Sequence, residues 1–211
     1  SAFVYRLLQR QQIIELENEK LRSESLQSQF ESLKNQVSPH FLFNSLTALK
    51  VLIEESPALA KQYVSHLSQV LRYTLQSKIK QVVTLNEELE FTESYLFLLK
   101  MRYDTNLTVK SKIDKNFGFW NLPPLTIQTL VENAVKHNEI SNEFPFEIAI
   151  STTENETLRV ANKIQEKLAP EEGTGIGLVN LSKLFSLLGE KEIQIYKTGG
   201  EFVVEVPLLK P

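Results

Sequence analysis

From Leu7 to Val37 the chain contains neither glycine nor proline, and a run of that length without a helix breaker commits the N-terminal part to continuous helix. Leu7, Ile14 and Leu21 recur at heptad spacing, with Gln11 and Asn18 between them. That is a short coiled-coil seam with polar layers, which favours a parallel two-stranded homodimer over a lone surface helix. The apolar series then restarts as Leu26, Phe30, Leu33 and Val37, out of step with the first heptads; such a slip alters the supercoil locally. Proline first enters at Pro39, within Ser38-Pro39-His40-Phe41-Leu42-Phe43-Asn44. A proline inside a helix removes one donor and crowds the carbonyl four residues back, so the helix is expected to bend beside the imidazole of His40. Asn44 follows at i+4 and shares a helix face with His40. Taken alone, a histidine among aromatics reads as a core residue.

The helical pattern continues to about Glu55. Ser56-Pro57 then reads as an N-cap followed by proline at the first helical position. In the next helix Leu59, Tyr63, Leu67, Val70 and Thr74 interleave with Ala60, Val64, Leu71 and Leu75 to form a broad apolar stripe. Two antiparallel helices with such stripes cannot bury them alone, and a dimer would close them into a four-helix bundle. Thr84-Leu85-Asn86-Glu87 is a capping box opening a third helix, Leu85 to about Arg102.

Beyond it the period changes from helical to alternating. Leu107 to Ile113 reads as a strand, and a helix is expected from about Leu125 to Asn138. Strands follow at Phe146 to Thr152 and Thr157 to Ala161, then a glycine loop at Gly173 to Gly177 and a helix to about Leu188. Strands Glu192 to Lys197 and Glu201 to Val206 close the chain as a hairpin through Gly199-Gly200. The fold class is therefore α+β, with helices first and a mixed or antiparallel sheet after them.

Composition narrows the chemistry. The absence of cysteine removes disulfides, thiolate metal sites and cysteine nucleophiles. A net charge of −3 leaves no electrostatic footprint for nucleic acid or an anionic membrane. No apolar run reaches the roughly 18 residues that would span a bilayer. The start, inside a helical pattern and without a signal peptide, predicts that the chain is part of a longer protein.

Two stretches concentrate polar groups. In Leu130-Val131-Glu132-Asn133-Ala134-Val135-Lys136-His137-Asn138, Asn133, Lys136 and His137 stand at i, i+3 and i+4 and share a face. An amide oxygen suits Mg2+ and a lysine amine suits phosphate, although a solvated helix face has the same pattern. In Gly173-Thr174-Gly175-Ile176-Gly177-Leu178, close glycines let main-chain amides approach phosphate at a helix N-terminus. An ordinary helix-entry turn has that composition too.

In this order, S-P-H-F-L-F-N, L-V-E-N-A-V-K-H and G-T-G-I-G-L resemble the LytS/YehU-type sensor histidine kinases of two-component systems. The resemblance runs from about Gln36 to the end and includes Leu71-Arg72-Tyr73 and Leu85-Asn86-Glu87-Glu88-Leu89-Glu90. It implies a coiled-coil signalling helix at 1–35, a dimerising hairpin carrying the phosphoacceptor at 36–80, and a GHKL-type α/β-sandwich ATP-binding domain at 81–211, including a connecting helix at 85–102. It implies that His40 takes the γ-phosphoryl group of ATP and passes it to an aspartate in a response-regulator receiver domain. Asn133 would hold Mg2+, while Lys136, His137 and the Gly173, Thr174, Gly175 and Gly177 loop would cradle the phosphates. Phe41 stands where many histidine kinases carry an acid, so Glu132 is the candidate proton acceptor, and Asn44 is a candidate for orienting water. The full-length protein is expected on the inner membrane through a segment before Ser1, with this region on the cytoplasmic side.

One departure stands out. Many relatives carry Asp-x-Gly-x-Gly after the strand ending near Ala161, where the aspartate reads the adenine amine. Here the residues are Ala161-Asn162-Lys163-Ile164-Gln165, with Asn162 as the stand-in. This motivates an alternative in which the chain is a catalytically degraded, non-enzymatic dimeric signalling scaffold.

Overall fold

A computed structural model describes residues 10–11, 39–77, 80–167, 176–188 and 192–211. The coiled-coil stretch, apart from Arg10 and Gln11, and the loop residues Gly173, Thr174 and Gly175 lie outside the described residues. The chain divides into two compact units, Ser1–Asn44 and Ser45–Pro211.

Helix α1 (Pro39–Glu55) includes the described part of the first unit apart from Arg10 and Gln11, so His40 and Asn44 are both helical. Helix α2 (Pro57–Gln76) starts at Ser56, with proline in its first turn. The Ser56 hydroxyl makes no capping bond, so here the proline, with φ already helical, marks the start. Of the expected stripe, Ala60, Tyr63, Leu67, Val70 and Thr74 are buried, whereas Val64 and Leu75 are exposed. The buried half faces helix α3 (Leu85–Tyr103), on which α2 packs.

The capping box forms as read: Thr84 Oγ1 accepts from the Glu87 N–H at 3.2 Å, and the Thr84 N–H donates to Glu87 Oε2 at 3.0 Å. A two-residue strand pair, β1 (Val83–Thr84) with β3 (Asn121–Leu122), was not expected from the sequence. Its segments are too short to show any period.

The main sheet has the order β2-β4-β5-β7-β6. Strand β2 (Leu107–Lys112) runs parallel to β4 (Phe146–Thr152). The rest is antiparallel, through β5 (Thr157–Lys163), β7 (Glu201–Pro207) and β6 (Gln194–Thr198). Gly199 and Gly200, with φ of 57° and 80°, make the tight turn between β6 and β7 that a side chain would strain. Ile148 and Ile150, Leu158 and Val160, and Val204 and Val206 alternate onto one buried face. Helices α4 (Thr126–His137) and α5 (Ile176–Leu187) pack on each other and bury Ile127, Leu130, Val131, Ala134, Leu181 and Phe185. Strand β5 runs two residues past Ala161, because Asn162 and Lys163 still pair with β7; Asn162 is thus a strand residue rather than the start of a loop. Strand β6 begins two residues later than expected, at Gln194. No described helix is long and apolar enough to cross a membrane.

Removing the Thr84 hydroxyl breaks one half of the capping box. Thr84→Ala is expected to lower the unfolding free energy by about 1 kcal/mol, measured by urea denaturation.

Candidate functional site

Helix α4 carries the polar cluster, and its start is unusual. Pro123-Pro124 supply no N–H, Leu125 sits in the left-handed region at φ 64°, and this N-cap residue offers no capping side chain. The first N–H groups of a helix need acceptors from elsewhere in such a case. They find the carboxylate of Glu88, reaching in from α3. Oε2 accepts from the Leu125 N–H at 3.1 Å and Oε1 from the Ile127 N–H at 3.0 Å. The Tyr73 hydroxyl of α2 donates to Oε2 at 2.7 Å. Glu88 is wholly buried, and burial pushes its pKa up to about 7 although these donors pull it down.

The other end of α4 is held by Asn138. Its Nδ2 donates to the Ala134 carbonyl at 2.8 Å, and its Oδ1 accepts from the Gln165 N–H at 2.7 Å. The Glu139 N–H donates to the Gln165 carbonyl at 2.7 Å. The segment that replaces Asp-x-Gly-x-Gly is thereby stitched to the end of α4.

Between α4, α5 and the β6–β7 hairpin lies a cavity of about 430 Å³. One wall is apolar: Ala134, Ile164, Leu178 and Phe202. The polar lining comes from Asn133, His137 and Asn138 on one side and Glu166, Lys167 and Lys197 on the other. Lys197 Nζ lies 3.9 Å from a Glu166 carboxylate oxygen, and both side chains are largely exposed. The lining thus joins an apolar wall to a polar rim that carries both signs of charge.

Of the residues singled out in the sequence, Asn133 and His137 meet at this cavity. Lys136 is on the same helix, half-buried, and does not line it. Gly177 is at the start of α5, one residue before Leu178, where an added Cβ would come 3.5 Å from Thr129 of α4. Asn162 is buried and does not line the cavity; its Nδ2 donates to the Lys163 carbonyl at 2.7 Å. Its cross-strand partner is Phe202, which does line it. Glu132 is exposed on α4, and its charge adds to burial in raising the pKa of the Tyr95 hydroxyl. His66 stacks on Phe97 at 4.1 Å, its Nδ1 3.2 Å from the Ser94 hydroxyl. Trp120 packs edge-on against Phe117.

Sequence reasoning missed Glu88, Asn138, Lys197 and Phe202. For Glu88 a signal existed: it falls between Leu85, Phe91, Thr92 and Tyr95 on the inward face of α3, where a carboxylate needs partners. Asn138 and the hairpin residues gave none, because their role depends on which strand ends beside α4.

Residues 28–107 match the family model described as histidine kinase. The chain is similar to the sensor protein LytS of Staphylococcus haemolyticus, 31% identical over 195 residues, covering 84% of this chain and 33% of that protein. LytS of Staphylococcus saprophyticus is 33% identical over 186 residues, covering 80% and 32%. The sensor histidine kinase BtsS of Escherichia coli is 36% identical over 126 residues, covering 60% and 22%. The chain thus spans about a third of the length of the LytS proteins it matches.

The raised pKa of Glu88 gives a signed expectation. A carboxyl that is easier to protonate folded than unfolded contributes stability that is complete below the ordinary carboxylate range and lost as pH rises through about 7. Relative to Glu88→Gln, the wild-type unfolding free energy should fall by up to about 3 kcal/mol from pH 4 to pH 8, followed by chemical denaturation across that range.

Proposed function

We propose that this chain is the catalytic region of a sensor protein-histidine kinase that binds Mg2+ and ATP beside α4, phosphorylates His40, and serves the receiver domain of a response regulator. The observation that carries the reading is the cavity at which Asn133 and His137 of L-V-E-N-A-V-K-H face an apolar wall ending in Phe202. Its size fits a small-molecule site, and the wall suits a purine while the polar end suits phosphates. ATP supplies the phosphoryl group, and Mg2+ supplies charge to offset its oxygens.

Asn133 offers a hard amide oxygen to the metal. Lys136 and His137 add positive charge or donors, and the main-chain amides of Gly173, Thr174, Gly175 and Gly177 serve the phosphates at the start of α5. Asn162, next to Phe202 in the sheet, uses its Nδ2 on the Lys163 carbonyl, and its Oδ1 is the atom that would accept from the adenine amine.

A neutral imidazole has one ring nitrogen without a proton, and in that form His40 has a lone pair for attack. The new N–P bond forms as the bond between the γ-phosphorus and its bridging oxygen breaks, and that electron pair leaves on ADP. Glu132 takes the imidazole proton, and Asn44 orients water for removing phosphate from the regulator. The phosphoryl group then moves from His40 to a receiver aspartate.

Residues 1–35, 36–80 and 81–211 would serve as signalling coiled coil, phosphotransfer hairpin and ATP-binding domain. Exposed Leu46, Val51, Ile53, Val64 and Leu75 support burial of α1 and α2 in a homodimer with a four-helix core. A segment before Ser1 would anchor the whole protein in the inner membrane.

Incubation with γ-labelled ATP and Mg2+ is expected to put an acid-labile, base-stable label on the protein and none on His40→Gln. Absence of label on an activated wild type, or full label on the variant, would refute the reading.

The second reading, a non-enzymatic dimeric scaffold, is favoured by one observation: the stand-in Asn162 is turned to the Lys163 carbonyl. Calorimetry separates the two. The kinase reading expects Mg2+-dependent binding of a non-hydrolysable ATP analogue at about millimolar affinity or better, lost at least tenfold in Asn133→Ala.

A further inference from the structure

Three helices meet at one buried carboxylate. Glu88 of α3 accepts from two main-chain N–H groups at the start of α4 and from the Tyr73 hydroxyl of α2, and the Thr126 N–H also lies within its reach. No side chain of α4's own N-cap competes for this role. A carboxylate withdrawn from water is costly unless its oxygens are saturated, so this geometry works only while α2, α3 and α4 hold their places. The N-terminal end of a helix also favours negative charge, which fits the carboxylate to that end. Tyr73 is fixed in turn by stacking on Phe91, with ring centres 4.2 Å apart.

We propose that Glu88 is a positioning residue for nucleotide binding, holding α4 so that Asn133 and His137 line the cavity, and that Tyr73 makes this hold depend on the placement of helix α2. The proposal rests on the nucleotide reading of the cavity. Asn133 lies less than two turns along α4 from Ile127, so a tilt at the Glu88 end displaces the cavity face with it. Helix α2 bears exposed Val64 and Leu75 on the side away from α3, and any shift there reaches Tyr73 through the helix itself. Hydrogen-bond networks between packed helices can carry such coupling, and the Tyr73–Glu88–α4 chain of hydrogen bonds is one.

The test uses the full chain and a non-hydrolysable ATP analogue with Mg2+, titrated by calorimetry. Tyr73→Phe keeps the ring stack and removes the donor, and it should weaken binding about fivefold. Glu88→Gln should weaken it tenfold or more, since an amide nitrogen then opposes a main-chain N–H. The double variant should bind like Glu88→Gln, because the tyrosine acts through the carboxylate. Leu107→Ala, a cavity in edge strand β2, serves as a destabilised control and should bind like wild type. Wild-type affinity in both single variants, additive losses in the double variant, or an equal loss in the control would overturn the proposal. Amide hydrogen exchange along Leu130 to His137 is measured on the same proteins. Should the wild type bind no nucleotide, the cavity reading fails by itself, and exchange unchanged in Tyr73→Phe and Glu88→Gln then overturns the hold on α4 as well.

Discussion

The structure depends on an electrostatic problem solved at a distance. Helix α4 begins after two prolines and a left-handed leucine, an entry that leaves its leading N–H groups without local acceptors. A side chain from another helix, Glu88, satisfies them, and in doing so fixes α4 against α3 and, through Tyr73, against α2. Desolvating that carboxylate is costly, and the return is a rigid helix whose far end carries Asn133 and His137. The opposite end is secured by a different device, the Asn138 amide, which bonds back to Ala134 and across to Gln165. A helix pinned at both ends by buried polar groups presents its middle turns in one orientation.

Much of this was legible beforehand where a period is long or a local motif complete. The capping box at Thr84 and Glu87, strand β4, and the glycine hairpin between β6 and β7 all follow from residues adjacent in sequence, so short-range rules reach them. The end of β5 did not follow, because Asn162 and Lys163 stay in the sheet only through partners on β7. The same limit applies to the site. Asn133 and His137 lie on one helix face and were visible together, whereas Lys197 and Phe202 join them only after the sheet order β5-β7-β6 is known. Glu88 was half legible: its position on an apolar stripe marked it as inward-facing, but its partners lie far along the chain.

The segment from Asn162 to Glu166 is held through its backbone without any glycine. Glycines in such a place allow close main-chain approach. Here the backbone of Gln165 is instead tied to Asn138 and Glu139, and the cavity gains the charged pair Glu166 and Lys197 at its rim. Recognition at that rim would then depend on side chains in water, whose interactions are weak and salt-sensitive.

Strand β6 brings a last consequence. All five of its residues are solvent-exposed, it is paired on one side alone, and yet it supplies Lys197 to the cavity wall. Edge strands with little buried surface open locally at low free-energy cost. The cavity is therefore asymmetric in its compliance, with a stiff side made by α4 and a yielding side made by β6. A ligand spanning both would shift the local opening equilibrium of the hairpin toward the closed strand. Occupancy of the site would thus be recorded as order in the edge strand that forms its second wall.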